Sequence, residues 1–396
     1  MSEKILIVDD SEDLRKLLSS TLIRSGYEVI EANDGIEAME KAHIAKPNLI
    51  LLDIVMPQLD GFEVCKRLKD DEHTKNIPVI FLSGKTDTSD KIKGLEIGGS
   101  DYIAKPFDKG EIIARVQNQL KIQRLTHELI EKNRELTEKQ RRLDEDLRAA
   151  GGIQQSLLPQ KYPDIKHLDI AWKFIPSYLI GGDIFNFIQL DENNIGFYMI
   201  DVSGHGVPPA MVTVSVSQAL QQLNGNVTMR STDTPLGYEI NSPKKVLEIL
   251  DAEYPINRFE KHFTMIYAII DVLQGSIIYS NAAHPPPILL RRDGNYELLD
   301  KGGTIIGMDG ILPFEEEKKD LQKGDKIFFY TDGVTEFQNQ EDEFYGEGRL
   351  LAVLKENKDK NIRDIIDSVI ASFRDFGGNT AFQDDISLVG VEYNGR

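Results

Sequence analysis

The chain predicts two folded regions of different class: a doubly wound α/β sheet, then, after a helical coiled-coil linker, an α+β layered β-sandwich flanked by helices. Three observations predict this. Apolar strands alternate with helical patterns over residues 4–106. An apolar residue recurs every seven positions from Ile122 to Leu157. From about Leu168 onward strands follow one another in hairpin pairs, with the helical stretches segregated from them. The expected divisions are 1–120, 121–157 and 158–396, in keeping with roughly 100–200 residues per domain.

The first region reads in order. KILIV, YEVIEA, NLILLD, PVIFLS and DYIAK are short, apolar and rich in β-branched residues. Between them lie helical spacings such as Leu14, Leu17, Leu18 and Leu22. Successive βα units of this kind build a parallel sheet whose site lies at the C-terminal ends of the strands. Polar residues collect at those ends: Asp9 and Asp10, then Asp53, then Ser83, then Lys105. The three aspartates are suited to one Mg²⁺. A carboxylate beside that ion, a lysine and a hydroxyl is equipped to accept a phosphoryl group, because the cations neutralise the transferring oxygens while the carboxylate attacks.

On Asp9-Asp10, Asp53 with Met56-Pro57 and Gly61, Ser83 and Lys105-Pro106-Phe107, this region resembles the response-regulator receiver domain over about 120 residues. The resemblance implies phosphorylation of Asp53 by a sensor histidine kinase. It implies Mg²⁺ on Asp10, Asp53 and the carbonyl of Val55, with Asp9 beside them, and Ser83 and Tyr102 as the switch pair with Lys105.

The linker carries one apolar seam, Ile122, Leu129, Leu136, Leu143, Ala150 and Leu157, and a mostly polar second seam, Thr126, Asn133, Gln140, Leu147 and Gln154. Such a pattern predicts a parallel dimeric coiled coil of modest stability, with Asn133 a register-setting residue. Gly151-Gly152 predicts a break or hinge, since each glycine costs a helix interior about 1 kcal/mol relative to alanine.

In the last region IFNFIQL and IGFYMIDV flank DENN, FTMIYAIIDV and SIIYSNA flank LQG, and PPILLRR and YELLD flank DGN, three hairpin signals. Helices are expected at about 207–223, 243–254, 346–356 and 361–376, and a long loop at 224–242. Asp183, Asp201, Asp332 and Asp384 sit at or beside strand edges. Hard oxygen ligands of this kind favour Mg²⁺ or Mn²⁺, and two such ions activate water for attack on a phosphate ester without a protein nucleophile.

IQQSLLP, GGDIF, DVSGHGVPPAMV, FTMIYAIID, NAAHPPPILL, YTDGVTE with FYGEGRL, and DDISLVGV make residues 150–394 resemble the bacterial metal-dependent (PPM, PP2C-like) serine/threonine phosphatases of the stress-response and sporulation branch. The resemblance implies two Mn²⁺ or Mg²⁺ held by Asp201, the Val202 carbonyl, Asp183, Asp332 and Asp384, the aspartates being the catalytic set, with Asp385 secondary. It implies a phosphorylated anti-sigma-factor antagonist as substrate. One position departs from the family: Asn186 stands where a second acid is common. His205 and His284 are read as loop-shaping residues.

The joint expectation is a two-component response regulator whose phosphorylation controls a phosphatase output. The alternative is a receiver-gated adaptor with a catalytically weak phosphatase-like domain. A formal charge of −19 argues against nucleic acid as the main partner, and no apolar run approaches the ~20 residues of a membrane span. The N-terminus reads as a strand rather than a signal peptide, and the single cysteine, Cys65, leaves no internal disulfide. A cytoplasmic protein, homodimeric through its linker, is expected.

Overall fold

A computed structural model describes residues 2–84, 88–159, 165–204, 206–222, 226–232, 238–378 and 380–395, without the side chains of 88–91. The chain divides into two compact units, Met1–Lys139 and Gln140–Arg396.

The first unit runs β1 (Lys4–Val8), α1 (Glu12–Arg24), β2 (Glu28–Ala32), α2 (Gly35–Ala45), β3 (Leu49–Asp53), α3 (Gly61–Asp70), β4 (Val79–Ser83), α4 (Thr88–Glu96), β5 (Asp101–Ala104) and the start of α5 (Lys109–Ser156). Its five strands are parallel, in the order β2-β1-β3-β4-β5. Strands read as unbroken apolar runs because both sheet faces are covered. Leu6, Val8, Ile50 and Leu52 pack on one face, and Ile5, Ile7, Leu49 and Leu51 on the other with Ile112, Val116 and Leu120 of α5. Ser11, Asp34 and Asp60 cap α1, α2 and α3 by accepting backbone N–H bonds. Cys65 is buried, and burial pushes its thiol up to about 11, so it is inert packing.

α5 continues without interruption through Gly151-Gly152, so the glycine pair does not break it. The reason is packing: a Cβ on Gly151 would lie 2.0 Å from the carbonyl oxygen of Leu179. Glycine lets the helix approach that backbone, and tertiary contact overrides propensity. The seam residues Ile122, Leu129, Leu136 and Leu143 are exposed along α5.

The second unit continues with β6 (Leu168–Ile175), β7 (Asp183–Gln189), β8 (Asn194–Val202), α6 (Val207–Gln221), β9 (Met229–Ser231), β10 (Tyr238–Ile240), α7 (Pro243–Glu253) and α8 (Ile256–Phe259). There follow β11 (Phe263–Asp271), β12 (Ser276–Ala282), β13 (Ile288–Leu290), β14 (Tyr296–Leu298), β15 (Gly302–Gly303), β16 (Glu317–Asp320) and β17 (Lys326–Tyr330). The unit closes with α9 (Asp332–Thr335), α10 (Gly346–Glu356), α11 (Ile362–Gly377) and β18 (Ile386–Tyr393). One sheet has the order β15-β12-β11-β8-β7 with β16 also on β12; the other is β14-β13-β17-β18-β6.

Alternation along the strands builds the layers. Phe197 and Met199 of β8 face Phe329, Val389 and Val391 of the opposing sheet. Their neighbours Tyr198 and Ile200 face Val216 and Leu220 of α6 and Leu247 and Leu250 of α7. On the far side Phe328 and Tyr330 pack against Leu350 of α10 and Ile366, Val369 and Phe373 of α11. The result is a sandwich of two sheets between two helical layers. Part of the expected 224–242 loop is instead the β9–β10 hairpin, in which Arg230 binds Glu239; 223–225 and 233–237 lie outside the described residues. Among the described residues, no helix is long and apolar enough to cross a membrane.

Candidate functional site

In the first unit the strand ends bring Asp9, Asp10 and Asp53 together, with one ligand oxygen from each within 4.8 Å of the others. Asp9 and Asp53 are buried and Asp10 is exposed. Lys105 Nζ lies 2.9 Å from both Asp9 Oδ2 and Asp53 Oδ2. Burial pushes the Asp53 carboxyl above its usual range, against the pull of Lys105; burial also opposes the Lys105 charge, but its two carboxylate bonds outweigh it. Val55, 76% exposed, donates its N–H to Asp53. Ser83 and Tyr102 line one small cavity with Ile54, Phe81 and Leu95. Tyr102 is half-buried, and the Arg115 guanidinium sits 5.5 Å from its ring centre.

In the second unit the acids come from both sheets. β7 and β8 pair so that Asp183 stands opposite Asp201. β17 and β18 pair so that Asp332 follows one strand at the end where Asp384 and Asp385 precede the other. The sheets are tied at this corner by Asp183: its Oδ2 accepts from Thr331 Oγ1 and from Ser387 Oγ, each at 2.7 Å. Asp183 is 3% exposed, Asp201 and Asp332 are half-buried, and Asp384 is exposed. Gly333 is required where it stands, since a Cβ there would lie 2.1 Å from the Asp385 carbonyl oxygen.

Crowding of negative charge sets the electrostatics. Burial, then the charges of Asp332, Asp384, Asp385 and Glu336, push Asp201 up to about 8. Burial, then Asp384 and Glu336, push Asp332 up to about 6. Asp183 is raised well above the carboxylate range by burial and by Asp201 and Asp385, against its two hydroxyl donors. Carboxylates held this way need protons or cations between them. The spacing is wider than in the first unit: among the described residues only the Asp9 trio has three ligand atoms all within 4.8 Å.

A family model for Stage II sporulation protein E (SpoIIE) matches residues 191–394, just over half the chain. The chain belongs to the SpoIIE family. A second model, the response regulator receiver domain, matches residues 5–117 of this SpoIIE-family chain. Its receiver is 49% identical over 117 residues to the alkaline phosphatase synthesis transcriptional regulatory protein PhoP of Bacillus subtilis, a match covering 30% of this chain and 48% of PhoP. It is 43% identical over 129 residues to the response regulator PleD of Caulobacter vibrioides, covering 33% of this chain and 28% of PleD. The chain thus spans about half the length, or less, of these curated relatives. The SiaA-PP2C domain of Pseudomonas aeruginosa shares the fold of the second unit at a TM-score of 0.53 and 19% identity, over 64% of this chain and 98% of that domain. A receiver is therefore joined by a long helix to a PP2C-like phosphatase fold.

Four residues that contact or neighbour these acids in the SpoIIE-family fold were not singled out from sequence as site residues. Glu336 lies one helical turn after Asp332, a spacing visible in TDGVTE. Thr331 and Ser387 flank the expected acids, but only the β17–β18 pairing turns their hydroxyls onto Asp183. Asp385, ranked second from sequence, is 2% exposed, and its Oδ1 accepts from the N–H and hydroxyl of Ser177, while Asp384 accepts its N–H. Gln154 Nε2 donates to the Gly181 carbonyl at 2.8 Å and its Oε1 accepts the Gly181 N–H at 3.2 Å, two residues before Asp183.

Asn186 is used as an amide: Nδ2 donates to the Leu157 carbonyl at 2.9 Å. His284 is buried, its Nδ1 is 2.8 Å from Thr264 Oγ1, and burial pushes it down to about 3, so it stays neutral. His205 lies outside the described residues.

Proposed function

We propose that this chain is a response regulator whose receiver, phosphorylated on Asp53, controls a metal-dependent phosphoserine/phosphothreonine phosphatase. The proposed divisions are a receiver at 1–120, a linker at 121–157 and a phosphatase at 158–396. The convergence of Asp183, Asp201, Asp332 and Asp384 from both sheets, with burial and neighbouring carboxylates raising Asp201 and Asp332, supports the enzymatic reading, because acids arranged this way suit cations.

The donor set fits hard divalent ions, being all oxygen and mostly carboxylate. Asp183, Asp201, Asp332, Asp384 and the Val202 carbonyl would hold two Mn²⁺ or Mg²⁺; Asp9, Asp10, Asp53 and the Val55 carbonyl would hold one Mg²⁺. Bound divalent ions lower the pKa of water and neutralise phosphate oxygens. The chain's own residues do the rest. Thr331 and Ser387 fix one Asp183 oxygen by hydrogen bonds, leaving the other for the site. Asp384 reaches the solvent edge, where a phosphorylated side chain arrives. In the receiver, Lys105 places positive charge beside the Asp53 carboxylate that would take the phosphoryl group.

The proposed phosphodonor is a sensor histidine kinase, and the proposed substrate an anti-sigma-factor antagonist. The exposed α5 seam supports a homodimer through the linker. Hydrolysis of p-nitrophenyl phosphate in Mn²⁺ should be lost in Asp201→Ala and Asp332→Ala, and should respond to acetyl phosphate in the wild type but not in Asp53→Ala. Activity untouched by both phosphatase substitutions sinks the enzymatic reading; stimulation preserved in Asp53→Ala sinks the regulatory one.

A further inference from the structure

The acids of the second unit leave an incoming phosphate little to hold. Asp183, Asp201, Asp332, Glu336, Asp384 and Asp385 act on one another through their charges. Two divalent ions carry less charge than these carboxylates together, so a phosphate dianion still meets a negative site. The rim from the β17–β18 sheet adds more acid. The Gln338 N–H donates to Gln383 Oε1 at 3.5 Å, which brings the 338–344 hairpin, with Glu341, Asp342 and Glu343, close to Asp384. The start of α6 offers few backbone donors. A helix N-terminus readily cradles an anion. Here Pro208 and Pro209 have no N–H, and the Ala210 N–H is bonded to the Gly206 carbonyl at 3.3 Å.

Lys261 brings a cation to this corner. A Cβ on Gly204 would lie 3.4 Å from Lys261 Nζ and 3.9 Å from Pro209 Cγ, so the ammonium and the proline meet over Gly204. Gly204, at φ +89°, comes three residues after Asp201. A Cβ on Gly182, the residue before Asp183, would lie 3.3 Å from the Gly204 carbonyl oxygen. The ammonium therefore borders backbone that touches the segments of both Asp201 and Asp183. Lys261 is half-buried and, among the described residues, forms no ion pair. Its root is fixed on two sides. Val202 pairs with Phe263 and Asp201 with Thr264, and the ladder runs on through the Ser203 N–H to the His262 carbonyl at 3.1 Å, which sets Lys261 against Gly204. On the other side its carbonyl oxygen lies 3.6 Å from where a Cβ on Gly307 would be. Gly307, Met308 and Gly310 donate their N–H groups to the buried Asp251 carboxylate at 2.6–2.8 Å.

We propose that Lys261 is a phosphate-binding residue of the phosphatase site: its ammonium, held over Gly204, meets the phosphoryl oxygens of a phosphoserine or phosphothreonine side chain. This rests on the metal-dependent phosphatase reading. A lysine suits the task. Its charge is compact, it carries three donors, and its flexible stem follows the phosphate from arrival to release. The contact is made to oxygens present in substrate, transition state and product alike, so it strengthens binding more than it speeds the chemical step. It also gives the site a direction: the β17–β18 rim repels phosphate, and the β8–β11 side receives it.

The test uses the full chain, Lys261→Met, which keeps the stem and removes the charge, and Lys261→Arg, which keeps the charge. Four readouts are taken: kcat and KM for p-nitrophenyl phosphate, the affinity for inorganic phosphate by titration calorimetry in Mg²⁺, Mn²⁺ binding by electron paramagnetic resonance, and melting followed by the fluorescence of Trp172. Subtracting the Asp201→Ala protein isolates ions and phosphate at the second unit from those at the receiver. In Lys261→Met, KM should rise and phosphate affinity should fall in parallel, by about 10–100-fold, as when one bond to a charged group is lost. The kcat value should move much less, and Mn²⁺ affinity and melting should stay as in the wild type. Lys261→Arg should recover most of the phosphate affinity.

Phosphate affinity and KM unchanged in Lys261→Met, with Asp201-dependent Mn²⁺ binding intact, overturn the proposal and leave the phosphatase reading standing. A fall in Mn²⁺ affinity together with kcat also overturns it, since Lys261 would then support the acids rather than hold phosphate. If Lys261→Met does not fold, Lys261→Gln removes the charge with a polar end, and the same outcomes decide. Absence of Asp201-dependent Mn²⁺ binding and of hydrolysis in the wild type overturns the phosphatase reading, and the Lys261 proposal falls with it.

Discussion

In the absence of divalent cations the second unit should become less stable as pH rises above neutrality, the opposite of the usual carboxylate contribution. Asp201 is pushed from 3.8 up to about 8 by burial and then by Asp332, Asp384, Asp385 and Glu336. Between those two values the folded state holds a proton that the unfolded chain has released, so the unfolding free energy falls with pH. His284, pushed down to about 3 from 6.5, has the opposite sign and favours the folded state as pH climbs to 6.5. Above about pH 7 its contribution is complete, and the acid cluster alone sets the slope. Asp332, already ionised above about 6, adds nothing there, and Asp191, Glu297 and Glu317, held below their usual range, are ionised throughout.

From about pH 7 to about pH 9 the cluster releases roughly one proton, a loss of about 1.4 kcal/mol. For a unit of this size that lowers Tm by roughly 3–6 °C. A bound cation takes the proton's place, so saturating Mn²⁺ should flatten the slope. The chain's one tryptophan, Trp172, lies in β6, so its fluorescence follows this unit. Melts in EDTA and in Mn²⁺, with Asp201→Asn as control, measure the effect. An EDTA melt equally high at both ends of the range, or an equal decline in Asp201→Asn, would refute the crowded-acid account.

Gly333→Ala should lower the Trp172 melt by about 1–3 kcal/mol, because its Cβ meets the Asp385 carbonyl oxygen at 2.1 Å and that strand end must shift. Asn186→Asp restores an acid where the family commonly has one, yet should cost about 1–3 kcal/mol in a urea titration, since the donor to the Leu157 carbonyl becomes an acceptor. Lys105→Ala should slow Asp53 phosphorylation by acetyl phosphate by about 10²-fold on phosphate-affinity gels while Mg²⁺ still binds, because the ammonium at 2.9 Å from both carboxylates is gone.

What was legible in the sequence was whatever depends on local order. Strands with both faces buried announce themselves as apolar runs, and an acid that closes or soon follows such a run lies at a strand end, which is why the positions of Asp53, Asp201 and Asp332 at strand ends could be read in advance. Asp191 signalled its hairpin for the same reason: its carboxylate binds the N–H groups of Asn193 and Asn194. Contacts made across the sandwich left no such trace. Nothing in TDG or DIS says that Thr331 and Ser387 share one oxygen of Asp183. The β9–β10 hairpin was hidden because its strands are three residues long and largely polar.

Gly151 and Asn186 show how a local rule fails informatively. By propensity the glycine breaks a helix, and by comparison with the family the asparagine is a missing acid; both readings treat the residue as a defect. In the fold Gly151 admits the Leu179 backbone, and Asn186 binds the Leu157 carbonyl just past the helix end. With Gln154 on Gly181, three residues tie the end of α5 to β7, the strand that carries Asp183, and to the segment before it. Departures from local preference are tolerated where another interaction outweighs them. Their coincidence at this junction ties the end of α5 to the strand that carries Asp183.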